Sequence, residues 1–283
     1  MLEKIKFGFW MMFPITLGIF LASFGLLVFK NINYEKTIQP GNNTATVVYS
    51  GTEKPKYFYL NKDPNGEPKV SALTYLVGDL NTGEIILSKN QEKKFPIASI
   101  SKLMTALVTK EIMTPDDTAK ITKTALATSG TNGELRLGEK IKTGDLLYPL
   151  LLESSNDAAE ALALYFGRDI FIAKMNQKAE KLKMSGTSYV DPSGLSPNNQ
   201  STVSDIFKLT GYLTQQQPDL IKITSKRSFN NKKQSWSNIS QFLGEEGYWG
   251  GKSGYTDPAK ETVVSLFNLP LGQTGFRPIT ITL

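Results

Sequence analysis

Phe95-Pro96-Ile97-Ala98-Ser99-Ile100-Ser101-Lys102-Leu103-Met104-Thr105-Ala106-Leu107 is the stretch from which the rest of the chain can be read. Within it and just beyond, Ile100, Leu103, Met104, Leu107 and Val108 recur at helical spacing, which predicts a helix over 99–113 with one face buried. Pro96 precedes the helix start, where its fixed φ and missing N–H are tolerated. Ser99 and Lys102 are spaced i to i+3, so a hydroxyl and an amine share one face a turn apart, within reach of each other. An SxxK tetrapeptide arises by chance about once or twice in a chain of this composition, so its surroundings decide its meaning.

Working outward, 72–79 and 84–88 are strand-like runs separated by Leu80-Asn81-Thr82-Gly83, a hairpin signature. Downstream, helical patterns cover 144–152, 157–166, 169–183 and 203–214, and the final third returns to strands at 248–254, 261–267 and 278–283. Strands at both ends of a helical middle predict an α+β fold. Its antiparallel sheet is closed by N- and C-terminal pieces of one domain over 71–283, with flanking helices and a helical subdomain. Ahead of it, 31–70 is rich in Asn, Thr, Gly, Lys and Pro and reads as a flexible linker, with a short strand around 46–49. The first 30 residues hold an uncharged apolar run over 7–29, long enough to span a bilayer as one transmembrane helix. No small-x-small cleavage site follows it, so an uncleaved anchor is expected. Lys4 and Lys6 slightly outweigh the charges beyond the run, which puts the N-terminus inside and the domain on the extracytoplasmic side of the cell membrane.

Composition narrows the chemistry. With 283 residues, 40% apolar and 20% charged, the chain holds one substantial globular domain and an appendage. It has no His and no Cys, which excludes thiol nucleophiles, disulfides, the commonest zinc ligands and any Ser-His-Asp arrangement. The chemistry must be carried by Ser, Thr, Lys, Tyr, Asn and carboxylates. The net charge is +6; setting aside Lys4, Lys6 and Glu3 leaves 30 basic and 25 acidic residues, a surplus of 5. That surplus suits an anionic envelope or cell wall, but it is scattered rather than gathered in a tract, so nucleic acid is not an expected partner.

Two further motifs bear on Ser99 and Lys102. Ser154-Ser155-Asn156 lies between two predicted helices, where a plain reading is a loop with a capping Ser. A functional reading gives Ser154 a hydroxyl for proton relay and Asn156 an amide that binds a carbonyl or orients a Lys. Lys252-Ser253-Gly254 follows Gly250-Gly251 and opens a strand, and these glycines let a ligand backbone lie close.

In the order SxxK, SxN, K[ST]G the three motifs form the set shared by class A β-lactamases and penicillin-binding proteins. The likeness extends through Asn156-Asp157-Ala158-Ala159 and Gly251-Lys252-Ser253-Gly254-Tyr255-Thr256-Asp257, and through Asp191-Pro192-Ser193-Gly194-Leu195 with Ser201-Thr202. Over 71–283 the chain resembles the low-molecular-mass penicillin-binding proteins that are serine D-Ala-D-Ala carboxypeptidases. The resemblance implies that Ser99 is the acylated nucleophile, Lys102 its base and Ser154 the proton donor to the leaving amine. It further implies that Asn156, Lys252, Ser253, Gly254 and Tyr255 bind substrate, with the N–H groups of Ser99 and Tyr255 as the oxyanion hole. The implied reaction removes the terminal D-Ala of peptidoglycan stem pentapeptides through an acyl-enzyme, with no metal or organic cofactor and with β-lactams as covalent inhibitors. The alternatives are a class A-like β-lactamase and a non-catalytic sensor on the same fold.

Three departures accompany the resemblance. Ser253 stands where Thr is usual, and Asp191 where Asn is usual; Asp191 reads as a turn residue bonding its own backbone rather than as a catalytic base. The pattern also stops at an alternating strand over 278–283, where the family continues to a closing helix, so the domain is expected to lack that helix.

Overall fold

A computed structural model describes residues 70–130, 133–231, 233–270 and 276–282. The expected membrane helix over 7–29, the linker apart from Val70, the strand around 46–49 and the terminal Leu283 lie outside the described residues. No helix among the described residues is long and apolar enough to cross a membrane.

The compact unit over 71–269 and 276–283 is a mixed helix-and-sheet fold. Strands β1 (Tyr75–Asp79), β2 (Ile85–Lys89), β9 (Tyr248–Thr256), β10 (Lys260–Pro270) and β11 (Phe276–Thr282) form one five-stranded sheet in the order β2-β1-β11-β10-β9. The first and last strands of the unit are thus neighbours, with Leu76 opposite Thr282 and Val77 opposite Ile281 in antiparallel register. The β1–β2 hairpin forms where it is expected. Asp79 Oδ1 accepts from the amides of Asn81 and Thr82 at 2.8 and 3.1 Å, and Gly83 takes φ +75° to close the turn.

Between β2 and β9 the chain is mostly helical: α1 (Ser101–Ile112), α2 (Thr143–Leu152), α3 (Asn156–Phe166), α4 (Arg168–Lys181), α5 (Val203–Gln216) and α6 (Pro218–Thr224). The first nine residues of α1 are all buried, because α2, α3 and α4 surround it. Leu103, Met104 and Leu107 interlock there with Leu146, Leu150, Leu162, Phe171 and Met175 in a single core. Truncating any one of these to Ala costs about 2–5 kcal/mol. On the sheet side α5 packs over β1 and β11, and Gly78 admits it: a Cβ at 78 would come within 2.7 Å of the Phe207 ring.

The expected helix over 99–113 is two elements. A 3-10 turn (Ala98–Ile100) precedes α1, and Ala98 takes a left-handed φ of +46°. The break has a packing cause: a Cβ at Gly194 would overlap the Ala98 carbonyl at 1.8 Å, so the following loop is pressed against this turn. Unforeseen are α6 and three two-stranded pairs, in which β3 (Phe95–Pro96) pairs with β6 (Gln200–Ser201), β4 (Thr118–Lys120) with β5 (Lys140–Lys142), and β7 (Ser228–Asn230) with β8 (Ser235–Ser237). The β3–β6 pair matters for function, since it anchors the chain just ahead of Ser99.

Candidate active site

Four segments converge on the N-terminal end of α1. The 3-10 turn supplies Ser99 and α1 supplies Lys102; the α2–α3 junction brings Ser154 and Asn156, and β9, at the edge of the sheet, brings Lys252 to Tyr255. Lys102 Nζ lies 3.0 Å from Ser99 Oγ, 2.7 Å from Asn156 Oδ1 and 2.7 Å from the Ser193 carbonyl oxygen. The amine is wholly buried, and desolvation, with the Lys252 cation adding to it, pushes its pKa well below the usual lysine range, while the Asp191 carboxylate pulls the other way. A neutral amine has two hydrogens and one lone pair. With Asn156 Oδ1 and the Ser193 carbonyl accepting the two hydrogens, the lone pair is left toward the Ser99 hydroxyl.

The α2–α3 junction carries visible strain. Glu153 ends α2 in helical geometry, Ser154 takes a left-handed φ of +63°, and Ser155 caps α3 by accepting from the Ala158 amide at 3.0 Å. Glycine normally occupies such a left-handed helix exit, and a residue with a Cβ there costs about 1–2 kcal/mol. Ser154 holds it while its Oγ accepts from Lys252 Nζ at 2.9 Å. One residue on, Asn156 opens α3 with its amide fixed at both ends, since Nδ2 donates to the Ser129 carbonyl at 2.6 Å while Oδ1 accepts from Lys102. Asp157 beside it is buried, which raises its pKa, and accepts from the Thr128 hydroxyl.

Lys252 also donates to its neighbour's carbonyl, Ser253 O, at 2.6 Å, and burial lowers its pKa to about 7. At neutral pH it is poised between a cation and an amine. Gly254 sets how close the strand comes to the nucleophile: a Cβ there would lie 2.6 Å from Ser99 N and 3.1 Å from Ala98 Cβ. Thr262 on β10 bridges the same seam, its hydroxyl within hydrogen-bonding distance of both the Ile97 and the Gly254 carbonyls. Tyr255 is exposed at the edge, and its hydroxyl donates to Asp257 Oδ1 at 3.0 Å.

The side chains of Ser99, Lys102, Ser154, Asn156 and Lys252 thus meet in one site, with Ser253 and Gly254 joining through their backbone, while the Tyr255 side chain stays exposed against Asp257. What sequence reasoning missed are the Ser129 and Ser193 carbonyls, which carry no side-chain signature, together with Thr262 and with Asn199, whose Nδ2 donates to Ser101 Oγ beside Lys102. Asp191 is a turn residue as expected: its Oδ1 accepts from the Ser193 amide, the Ser193 hydroxyl and the Gly194 amide, and its Oδ2 from the Ser196 amide.

Comparison with known proteins identifies the family. Residues 61–268 match the D-alanyl-D-alanine carboxypeptidase family. The chain is 38% identical over 147 residues to a D-alanyl-D-alanine endopeptidase of Escherichia coli, covering 50% of this chain and 47% of the relative. It is 31% identical over 205 residues to a D-alanyl-D-alanine carboxypeptidase of Mycobacterium tuberculosis, covering 70% of each. The match to the endopeptidase thus spans about half that relative's length. Among solved structures, penicillin-binding protein D2 of Listeria monocytogenes in its ampicillin-bound form superposes with a TM-score of 0.68 at 30% identity, covering 77% of this chain and 91% of that one. A site in which a serine is paired with a buried lysine, on a fold shared with penicillin-binding proteins, and a family match over most of the chain lead to one conclusion: the chain belongs to the D-alanyl-D-alanine carboxypeptidase family of serine peptidases.

Proposed function

We propose that this protein is a membrane-anchored serine D-Ala-D-Ala carboxypeptidase that removes the terminal D-alanine from peptidoglycan stem pentapeptides. The observation that carries the reading is the buried Lys102 Nζ, 3.0 Å from Ser99 Oγ and 2.7 Å from each of two fixed acceptors, Asn156 Oδ1 and the Ser193 carbonyl. Lys102 takes the Ser99 proton as the oxygen attacks the carbonyl of the penultimate D-Ala, and the C–N bond breaks as the leaving amine takes a proton through Ser154. Lys252 and Ser253 hold the terminal carboxylate, Asn156 the substrate amide, and the backbone N–H groups of Ser99 and Tyr255 the oxyanion. Water then hydrolyses the acyl-enzyme. β-Lactams acylate Ser99 by the same route, in keeping with the ampicillin- and cefotaxime-bound Listeria relatives. The apolar run over 7–29 serves as the anchor and 31–70 as the tether, which places the domain outside the membrane.

The endopeptidase names of two relatives, at 38% and 40% identity, favour a second reading in which the scissile bond lies within a peptide cross-link. Two assays on the full chain in mild detergent separate the readings. A fluorescent penicillin should label Ser99, and D-Ala should be released from a stem pentapeptide. Cleavage of cross-linked dimers with no D-Ala release from pentapeptide would favour the endopeptidase, and a label on Ser101 or Ser154 would defeat both.

A further inference from the structure

The loop over 190–199 is fastened to α1 on both sides of Lys102. Asn199 Nδ2 donates to Ser101 Oγ at 3.0 Å and to the Asp191 carbonyl at 2.8 Å, while the Thr105 hydroxyl donates to the Pro192 carbonyl at 2.6 Å. Asn199 Oδ1 accepts from the amides of Val190 and Asp191. At the centre is the Asp191 carboxylate, buried and accepting four hydrogen bonds, three of them from Ser193 and Gly194 at 2.6–2.8 Å. The carbonyl of that same Ser193 is the second acceptor of the Lys102 amine.

We propose that Asp191 is a positioning residue for acylation, holding the Ser193 carbonyl at Lys102 Nζ so that the amine's lone pair stays turned to Ser99. With both carboxylate oxygens committed to these donors, Asp191 is not the base that activates the deacylating water. Its charge has a second effect. The charged groups facing Lys102 are Lys252 from β9 and Asp191 from the loop, and Asp191 favours the protonated amine; Arg168, ion-paired with Glu160 between α3 and α4, interacts electrostatically with Asp191 as well. An Asn at 191 retains an Oδ1 for the Ser193 and Gly194 donors but loses the charge, and it turns an NH2 toward the Ser196 amide.

The proposal rests on Lys102 being the base. The test is the rate of acylation by a fluorescent penicillin, measured across pH on the full chain, wild type against Asp191→Asn and Asp191→Ala, with melting curves to establish that each variant is folded. Asp191→Asn should keep its maximal rate within about threefold of wild type while the acid limb moves about half a pH unit lower, because Lys102 sheds its proton more easily beside a neutral amide. Asp191→Ala should acylate at least about tenfold more slowly, with its release of bound penicillin changed less than its acylation. Should Asp191→Ala fail to fold, Asp191→Ser, which shortens the side chain away from the Ser193 and Gly194 donors but stays polar, carries the test by the same roughly tenfold slowing of acylation. A coincident acid limb in Asp191→Asn would overturn the effect assigned to the Asp191 charge. A folded Asp191→Ala that acylates at the wild-type rate would overturn the proposal while leaving Lys102 as the base, and so would rapid penicillin turnover in wild type that is lost in Asp191→Asn. A wild-type chain whose Ser99 is never labelled would overturn both.

Discussion

Gly254 and Lys102 show how little room a single position leaves in this site. A Cβ at 254 would press on Ser99 N from one side with Thr262 Oγ1 at 3.0 Å and Ala98 Cβ at 3.1 Å, so no flexible side-chain end is free to yield. Gly254→Ala is therefore expected to displace the 3-10 turn, slowing penicillin acylation by at least about tenfold and costing about 1–3 kcal/mol in stability; a stopped-flow labelling assay and a melt check the two numbers. Lys102→Arg should be nearly as damaging as Lys102→Ala, because a guanidinium keeps its proton and cannot receive that of Ser99. An arginine variant that kept more than about a tenth of the acylation rate would mean that the position supplies charge rather than basicity. The places of Ser99, Lys102, Ser154, Asn156 and Lys252 were legible in the motifs because side chains carry a chemical signature. The Ser129 and Ser193 carbonyls, which orient Asn156 and Lys102, were not, since a backbone oxygen is the same for every residue type.

At the scale of elements, the long helices α1 to α5 announced themselves through a repeating apolar spacing, although α1 is buried all round over most of its length, and their bounds fall within a few residues of the expected ones. The misses share a cause. α6 has seven residues, β3 and β6 two each, and the remaining pairs three; they exist through tertiary partners rather than through any local period. The α2–α3 junction shows what such an element is for. Ser155 is an ordinary helix cap, so Ser155→Ala should cost about 1 kcal/mol in a denaturant titration. Ser154 is different, because its left-handed backbone is strained while its hydroxyl serves Lys252. Ser154→Gly should leave the melting temperature unchanged or higher while D-Ala release falls, an opposition between stability and turnover expected where strain is stored at a functional site. A variant that lost both together would show the serine to be structural.

At the scale of the whole molecule, the heaviest electrostatic burden among the described residues is two lysine amines buried in one site. Lys252 is 5% exposed, and its pKa falls from the usual 10.5 in the unfolded chain to about 7 in the folded one. Between those values the unfolded chain binds more protons than the folded chain, so stability rises with pH across that window; below about 7 both states are protonated and the full penalty, several kcal/mol, is present. Lys102, also lowered by burial, acts in the same direction. Near the top of the window the tyrosines oppose it: Tyr148, Tyr189 and Tyr248 are raised by burial, so the unfolded chain ionises first and stability falls as pH passes 10. The melting temperature of the full chain should therefore climb from about pH 7 to about pH 9.5, the reverse of a protein held together by surface ion pairs. On the proposed function the substrate side runs oppositely: a Lys252 that holds a carboxylate must be charged, so D-Ala release should decline as pH rises through about 7. Lys252→Met should raise the melting temperature at pH 7, flatten its climb and abolish D-Ala release together. A wild-type melting temperature indifferent to pH across this range, or a methionine variant no more stable than wild type, would mean that the Lys252 cation is well solvated in its site, and the burden assigned to it would have to lie elsewhere.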